Sequence, residues 1–154
     1  MGGAGNSKAD DMTPLDKPQL EKLADFRYQL RLFLRFSEQL VRANGVTPQQ
    51  YQLLLQIEGY PQREWATIGE LAERLQMQHH GMGALVSRCE KLGLVHRREG
   101  KQDRRTVGVI LSAKGKRCLD ELACQHWEQL QNLQNGWTIP KTPITDPSDP
   151  LPSH

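Results

Sequence analysis

The chain is 154 residues long, 37% apolar and 25% charged, enough for one domain with a modest core and too little for a second of similar size. It contains no apolar run long enough to cross a membrane, and its start has neither a basic segment nor an apolar leader, so a cytoplasmic chain with no membrane partner is expected. Three cysteines, Cys89, Cys118 and Cys124, lack CxxC spacing and are odd in number, which argues for reduced thiols over a disulfide framework. The net charge of +2 conceals an uneven distribution. Thr67 to Arg117 holds eleven Lys and Arg against five Asp and Glu, a net +6, and the rest of the chain carries −4. A basic segment in a near-neutral chain points to a polyanionic partner.

In chain order, residues 1–15 have almost nothing to bury and are expected to be disordered. Pro18 opens a long helix whose apolar positions form two stripes, Leu23, Phe26, Leu30, Phe33 and Leu40 on one and Tyr28, Leu32 and Phe36 on the other. So small a domain cannot cover both stripes, and a partner subunit is the simplest cover. Thr47, Pro48 and Gln50 supply the N-cap, first-turn proline and capping box of a second helix that Gly59 ends. Thr67 and Glu70 repeat the capping box before a short third helix with Leu71 and Leu75. After a turn at Gln76 to Gln78, the stretch HHGMGALVSRCEKL reads as a fourth helix, with Leu85, Val86, Cys89 and Leu92 at helical spacing and Gly93 just past its end. A short helix, a tight turn and a second helix outline a helix-turn-helix.

Leu94 to Arg98 and Thr106 to Leu111 then read as a β-hairpin around the basic turn EGKQDRR. Ser112 caps a last helix whose apolar positions are Leu119, Leu122, Trp127, Leu130 and Leu133. From residue 138 onward five prolines rule out a helix or paired strand, so an extended tail over 138–154 is expected. The fold class is therefore mostly α with a small β-hairpin wing, a single unit over 16–137. A DNA-binding lobe is expected at about 47–112, with dimerisation helices at about 18–44 and 113–135.

TIGELAERL (67–75), LVSRCEKLGLVHR (85–97) and QDRRTVGVILSAKG (102–115) stand in the order and spacing of the MarR family of bacterial winged helix-turn-helix regulators, and the chain resembles that family over roughly residues 18–135. The Asp103-x-Arg105 pair resembles the wing signature, and Ser112 to Gly115 the start of the following helix. The resemblance implies a homodimeric repressor that binds double-stranded DNA at a pseudo-palindromic operator and is released by a small-molecule effector. It also implies that Asp103 holds an arginine of the wing turn in an ion pair. Two features depart from the family's pattern. Gly83 and Ala84 stand where many members carry Ser or Thr followed by Arg, and Pro140 onward leaves room for one C-terminal helix where members commonly have two.

The second helix of a helix-turn-helix lies in the major groove with its first residues at base edges. That places Gln78, His79 and His80 at the bases, since Gln pairs with adenine and His donates to guanine or phosphate. Gly81 and Gly83 each cost a helix about 1 kcal/mol relative to Ala. They either admit close approach of DNA or relieve packing against the turn. Arg88 is a candidate phosphate contact, Arg104 and Arg105 are suited to a minor groove, and Lys101, Arg97 and Arg98 add phosphate attraction. Phe33, Phe36, Tyr51, Trp65 or Trp127 could wall an effector pocket, a placement that rests on the family resemblance.

A metal at His79 and His80 is disfavoured, because adjacent helical residues point about 100° apart. Cys89 sits at an apolar position and reads as packing before redox sensing. No nucleotide-binding, hydrolase or metalloprotease motif occurs, so no catalytic residue, cofactor or enzymatic activity is expected. The competing reading is a winged-helix module that docks proteins without reading DNA, which would want a neutral or acidic recognition helix and wing.

Overall fold

The computed structural model describes residues 13–99 and 107–134. The first helix, α1 (Lys17–Ala43), starts at Asp16, whose side chain accepts from the Gln19 amide while Gln19 reaches back to the Asp16 amide. The same reciprocal box, Thr47 with Gln50, starts α2 (Pro48–Glu58), and Thr67 with Glu70 starts α3 (Ile68–Leu75). Each box satisfies two backbone donors that a helix start would otherwise leave without partners, so these starts are fixed locally by three or four residues. Next come α4 (His79–Lys91), the strands β2 (Val95–Glu99) and β3 (Val107–Leu111), and α5 (Ala113–Gln134).

A further strand, β1 (Trp65–Thr67), precedes α3 and corrects the expectation of a bare hairpin. It pairs antiparallel with β3, Ala66 opposite Val109, and the sheet order is β1-β3-β2. Three residues are too few for an alternating pattern to show in sequence, and this strand is held by its partner rather than by its own periodicity. Trp65 belongs to it: its ring lies over Gly108 of β3, where a Cβ would come within 3.2 Å of the indole, and the Arg63 guanidinium lies over the same ring, 4.0 Å from its centre. Arg63 also lies over Tyr60 and pairs with Glu70.

The core fills the space between α2, α3, α4, the sheet and the first half of α5. Leu53, Leu54, Ile57, Leu71, Met82, Leu85, Val86 and Leu122 are all fully buried there. Burying one such side chain contributes roughly 1.5–3 kcal/mol, so this lobe carries most of the chain's hydrophobic stabilisation. By contrast, α1 buries only Ser37 and Val41 along its 27 residues. Leu20, Leu23, Tyr28, Leu32 and Leu34 remain exposed on it, and Trp127 on α5 is 63% exposed. No helix among the described residues is long and apolar enough to cross a membrane.

Candidate nucleic-acid interface

The start of α4 is built differently from the three helices before it. Its N-cap, Gln78, makes no side-chain capping bond, and Gln78, His79 and His80 are all exposed. The carbonyl of Gln78 receives the Met82 amide at 2.9 Å, so helical bonding begins there and the preceding amides face outward. Outward amides together with the positive end of the helix dipole form a ready receptor for an anionic oxygen. Further along, the exposed face runs His80, Ala84, Arg88 and Lys91, while Met82, Leu85, Val86 and Cys89 anchor the opposite face in the core. The Arg88 guanidinium makes no hydrogen bond or ion pair among the described residues, so its charge is available to a partner.

The two glycines are not required by packing. A Cβ built on Gly83 meets nothing within 4 Å, and one on Gly81 meets only the Met77 methyl at an ordinary 3.7 Å. Relief of packing against the turn, one of the two readings open from sequence, therefore finds no neighbour that needs relieving.

The base of the wing is fixed to the lobe by polar contacts. Arg97 of β2 donates from its amide and from Nη1 to the two oxygens of Glu90 at 3.2 and 2.9 Å, and from Nη2 to the Gly83 carbonyl and the Ser87 hydroxyl. Sequence reading placed this arginine among the phosphate contacts, but its guanidinium is already paired within the protein. Behind the sheet, Ser112 donates to the Gly93 carbonyl at 2.5 Å and accepts the Gly115 amide at 2.9 Å, which ties the turn after α4 to the start of α5. Lys114 Nζ caps the carbonyl of Leu92, the residue that ends α4. The exposed Arg98 extends the basic surface along β2. Lys101, Asp103, Arg104 and Arg105, the expected wing tip and its brace, lie outside the described residues, as do 1–12 and the tail.

The aromatic residues proposed as a pocket wall divide. Phe33 and Phe36 of α1 meet the His126 ring edge-on at 6.3 and 6.1 Å, and Tyr51 of α2 stacks on it at 4.5 Å. Trp65 lies apart on β1, and Trp127 faces outward. His126 is buried and bonded at both nitrogens, Nδ1 to the Leu122 carbonyl and Nε2 to the Ser37 hydroxyl, each at 2.6 Å. A carbonyl only accepts, so Nδ1 carries the proton, and in the neutral ring Ser37 donates to Nε2. Burial pushes the neighbouring Tyr51 phenol above its usual value. His126 thus joins α1, α2 and α5, a role missed in the sequence although Leu119, Leu122 and His126 share a helical stripe that Trp127 does not.

The thiols differ in reactivity. Burial raises Cys89 to about 11, against a smaller opposing effect of Arg88, so at neutral pH it is a protonated packing group. Cys118 is also raised, first by burial and then by Glu121, and Cys124 is exposed. No cluster of three or more His, Cys, Asp or Glu suited to a metal occurs among the described residues.

Comparison with known proteins agrees with this geometry. Residues 44–106, from the end of α1 into the wing, match the model of the MarR family. YsmB of Bacillus subtilis, an HTH-type transcriptional regulator, is 26% identical over 136 residues, covering 84% of this chain and 89% of its own. Among solved structures, the MarR family regulator AbsC from Streptomyces coelicolor shares the fold at a TM-score of 0.67 and 18% identity, over 84% of this chain and 86% of its own. A variant of MepR from S. aureus, bound to an oligodeoxyribonucleotide, does so at 0.59 and 19%, over 81% and 86%. The lobe that carries the uncapped helix is thus similar to the MarR family of transcriptional regulators, and the likeness in fold to MarR family structures extends over most of the chain.

Proposed function

We propose that the chain acts as a homodimeric repressor that reads a pseudo-palindromic operator through α4 and is released by a small-molecule effector. The observation that carries the DNA reading is the start of α4, where Gln78, His79 and His80 stand exposed around outward-facing amides and glycines that no packing requires. Gln78 would address adenine, and the histidines guanine or phosphate, while Gly81 and Gly83 let the helix backbone approach the groove closely. Arg88 neutralises phosphate beside the major groove. Lys101, Arg104 and Arg105 reach the neighbouring minor groove from a wing braced by Asp103. Support for the dimer is the exposed apolar face of α1 together with Trp127. Support for an effector site is the aromatic group Phe33, Phe36 and Tyr51 around His126, between the helices left uncovered and the DNA lobe.

The test is selection of duplexes from a random pool by the full chain, followed by fluorescence anisotropy over a salt series. The expected result is a two-fold symmetric site bound at least about a thousandfold more tightly than a scrambled duplex, with a steep salt slope. Equal binding to both duplexes would refute base reading and favour a protein-docking module.

A further inference from the structure

We infer that Arg97 is a positioning residue that locks the wing to the recognition helix, setting the angle at which α4 and the wing enter adjacent grooves; the inference rests on the DNA-reading role proposed above. Its side chain lies along α4 and touches three successive turns of it, at the Gly83 carbonyl, the Ser87 hydroxyl and the Glu90 carboxylate. The Arg97 amide adds a fourth donation to the other oxygen of Glu90. Among the described residues, every side-chain hydrogen bond between α4 and β2 runs through this arginine.

The strand end of the lock is equally constrained, because Arg97 pairs with Val109 in the middle of the β2–β3 ladder. A change in its grip on α4 therefore moves the whole hairpin and not one side chain. The helix end is also prepared: Ser87 donates to the same Gly83 carbonyl at 3.0 Å, which orients its hydroxyl to receive Nη2. Only a planar fork of donors spans a carbonyl and a carboxylate seven residues apart on a helix while keeping both bonds straight, and an ammonium group cannot.

Base edges and the neighbouring groove can be engaged together only if helix and wing are held at one angle. A loosened lock costs the contacts that depend on register and leaves the general attraction of the basic face for phosphate intact. An arginine that itself met phosphate would behave in the opposite way. Its loss would weaken binding to every sequence and reduce the salt slope by about one per contact.

The experiment compares wild type, Arg97→Lys and Glu90→Gln on the selected and scrambled duplexes over a salt series, with thermal melting of each protein. Arg97→Lys keeps the charge and Glu90→Gln makes the face more positive. We expect both to lower the preference for the selected duplex by about tenfold, the effect of one mismatched base pair, with the salt slope of Arg97→Lys unchanged. A preserved preference in Arg97→Lys, or tighter binding with a steeper slope and undiminished preference in Glu90→Gln, overturns the lock in favour of a phosphate contact. Proportional weakening on both duplexes with a lower melting temperature would mark a packing role alone and also overturns it. A wild type that prefers no duplex refutes the DNA-reading role itself, before any variant is compared.

Discussion

Gly115 shows how a single absent side chain sets the junction between sheet and helix. A Cβ built there would lie 2.0 Å from the Leu94 carbonyl oxygen and 3.0 Å from its carbon, both backbone atoms that no rotamer change can move aside. The close approach lets Ser112 bond the Gly93 carbonyl and the Gly115 amide together, and it brings the start of α5 against the end of the recognition helix. For Gly115→Ala two effects compete. Alanine gains about 1 kcal/mol of helix propensity, and the forced backbone shift costs about 3 kcal/mol or more, at the upper end of overpacking. The clash wins, so a net loss of about 2 kcal/mol is expected, read as a lower urea midpoint at unchanged slope. A midpoint equal to wild type would mean that the turn at Leu94 yields without strain. The motif that resembles the family's helix start, Ser112 to Gly115, was visible in the sequence. The carbonyl that makes its glycine necessary was not, since Leu94 reaches it only through the β2–β3 pairing.

At the scale of elements, the helices were legible where three or four adjacent residues settle them. Capping boxes at Thr47 and Thr67 and the proline near the start of α1 gave starts that agree with the structure to within a few residues. Long-range pairing was not legible. Strand β1 exists because β3 lies beside it, and with β1 hidden Trp65 reads as one of several aromatic residues that could wall a pocket, whereas its ring covers Gly108. On α5 hydropathy points to Trp127, which is exposed, whereas the helical stripe through Leu119 and Leu122 continues to the buried His126. The recognition helix was legible as an element, and the Arg97 lock was not, because its partners are set by how β2 folds back on α4. That helix also yields a prediction of opposite signs. Gly83→Ala adds a methyl into open space, so the free protein gains about 1 kcal/mol of stability. On DNA the same methyl stands between backbone and groove, so affinity for the selected duplex is expected to fall about tenfold. Urea unfolding and anisotropy on one preparation check both, and a variant that is more stable and binds as well as wild type would leave the glycine without a role in approach.

For the whole molecule the decisive asymmetry is that the core lobe is closed and α1 is not. Tyr28 and Leu32 are 59% and 42% exposed one helical turn apart, and Leu20, Leu23 and Leu34 add to the same uncovered helix, while Trp127 projects from α5. An apolar helix surface of this extent favours burial against a second copy, and a two-fold dimer would present two α4 helices to half-sites one DNA turn, about 34 Å, apart. The charge distribution suits that arrangement, because the net +6 of Thr67 to Arg117 falls on the stretch that runs from α3 through the recognition helix and wing to the start of α5, and the rest of the chain carries −4. Leu32→Glu tests the link between assembly and reading. In an isolated chain an exposed leucine replaced by glutamate costs within about 0.5 kcal/mol, so the lobe should stay folded. In a dimer the same change buries a carboxylate in an apolar seam, and the subunits should separate. Sedimentation is expected to show wild type at twice the 17.5 kDa chain mass and the variant at one chain mass. Wild-type melting should depend on protein concentration and the variant's should not. Because each half-site would then be bound alone, preference for the selected duplex falls with the dimer while a weak, salt-sensitive attraction to any duplex remains. A variant that stays dimeric would move the interface away from this face of α1, and one that becomes monomeric with its preference intact would separate reading from assembly.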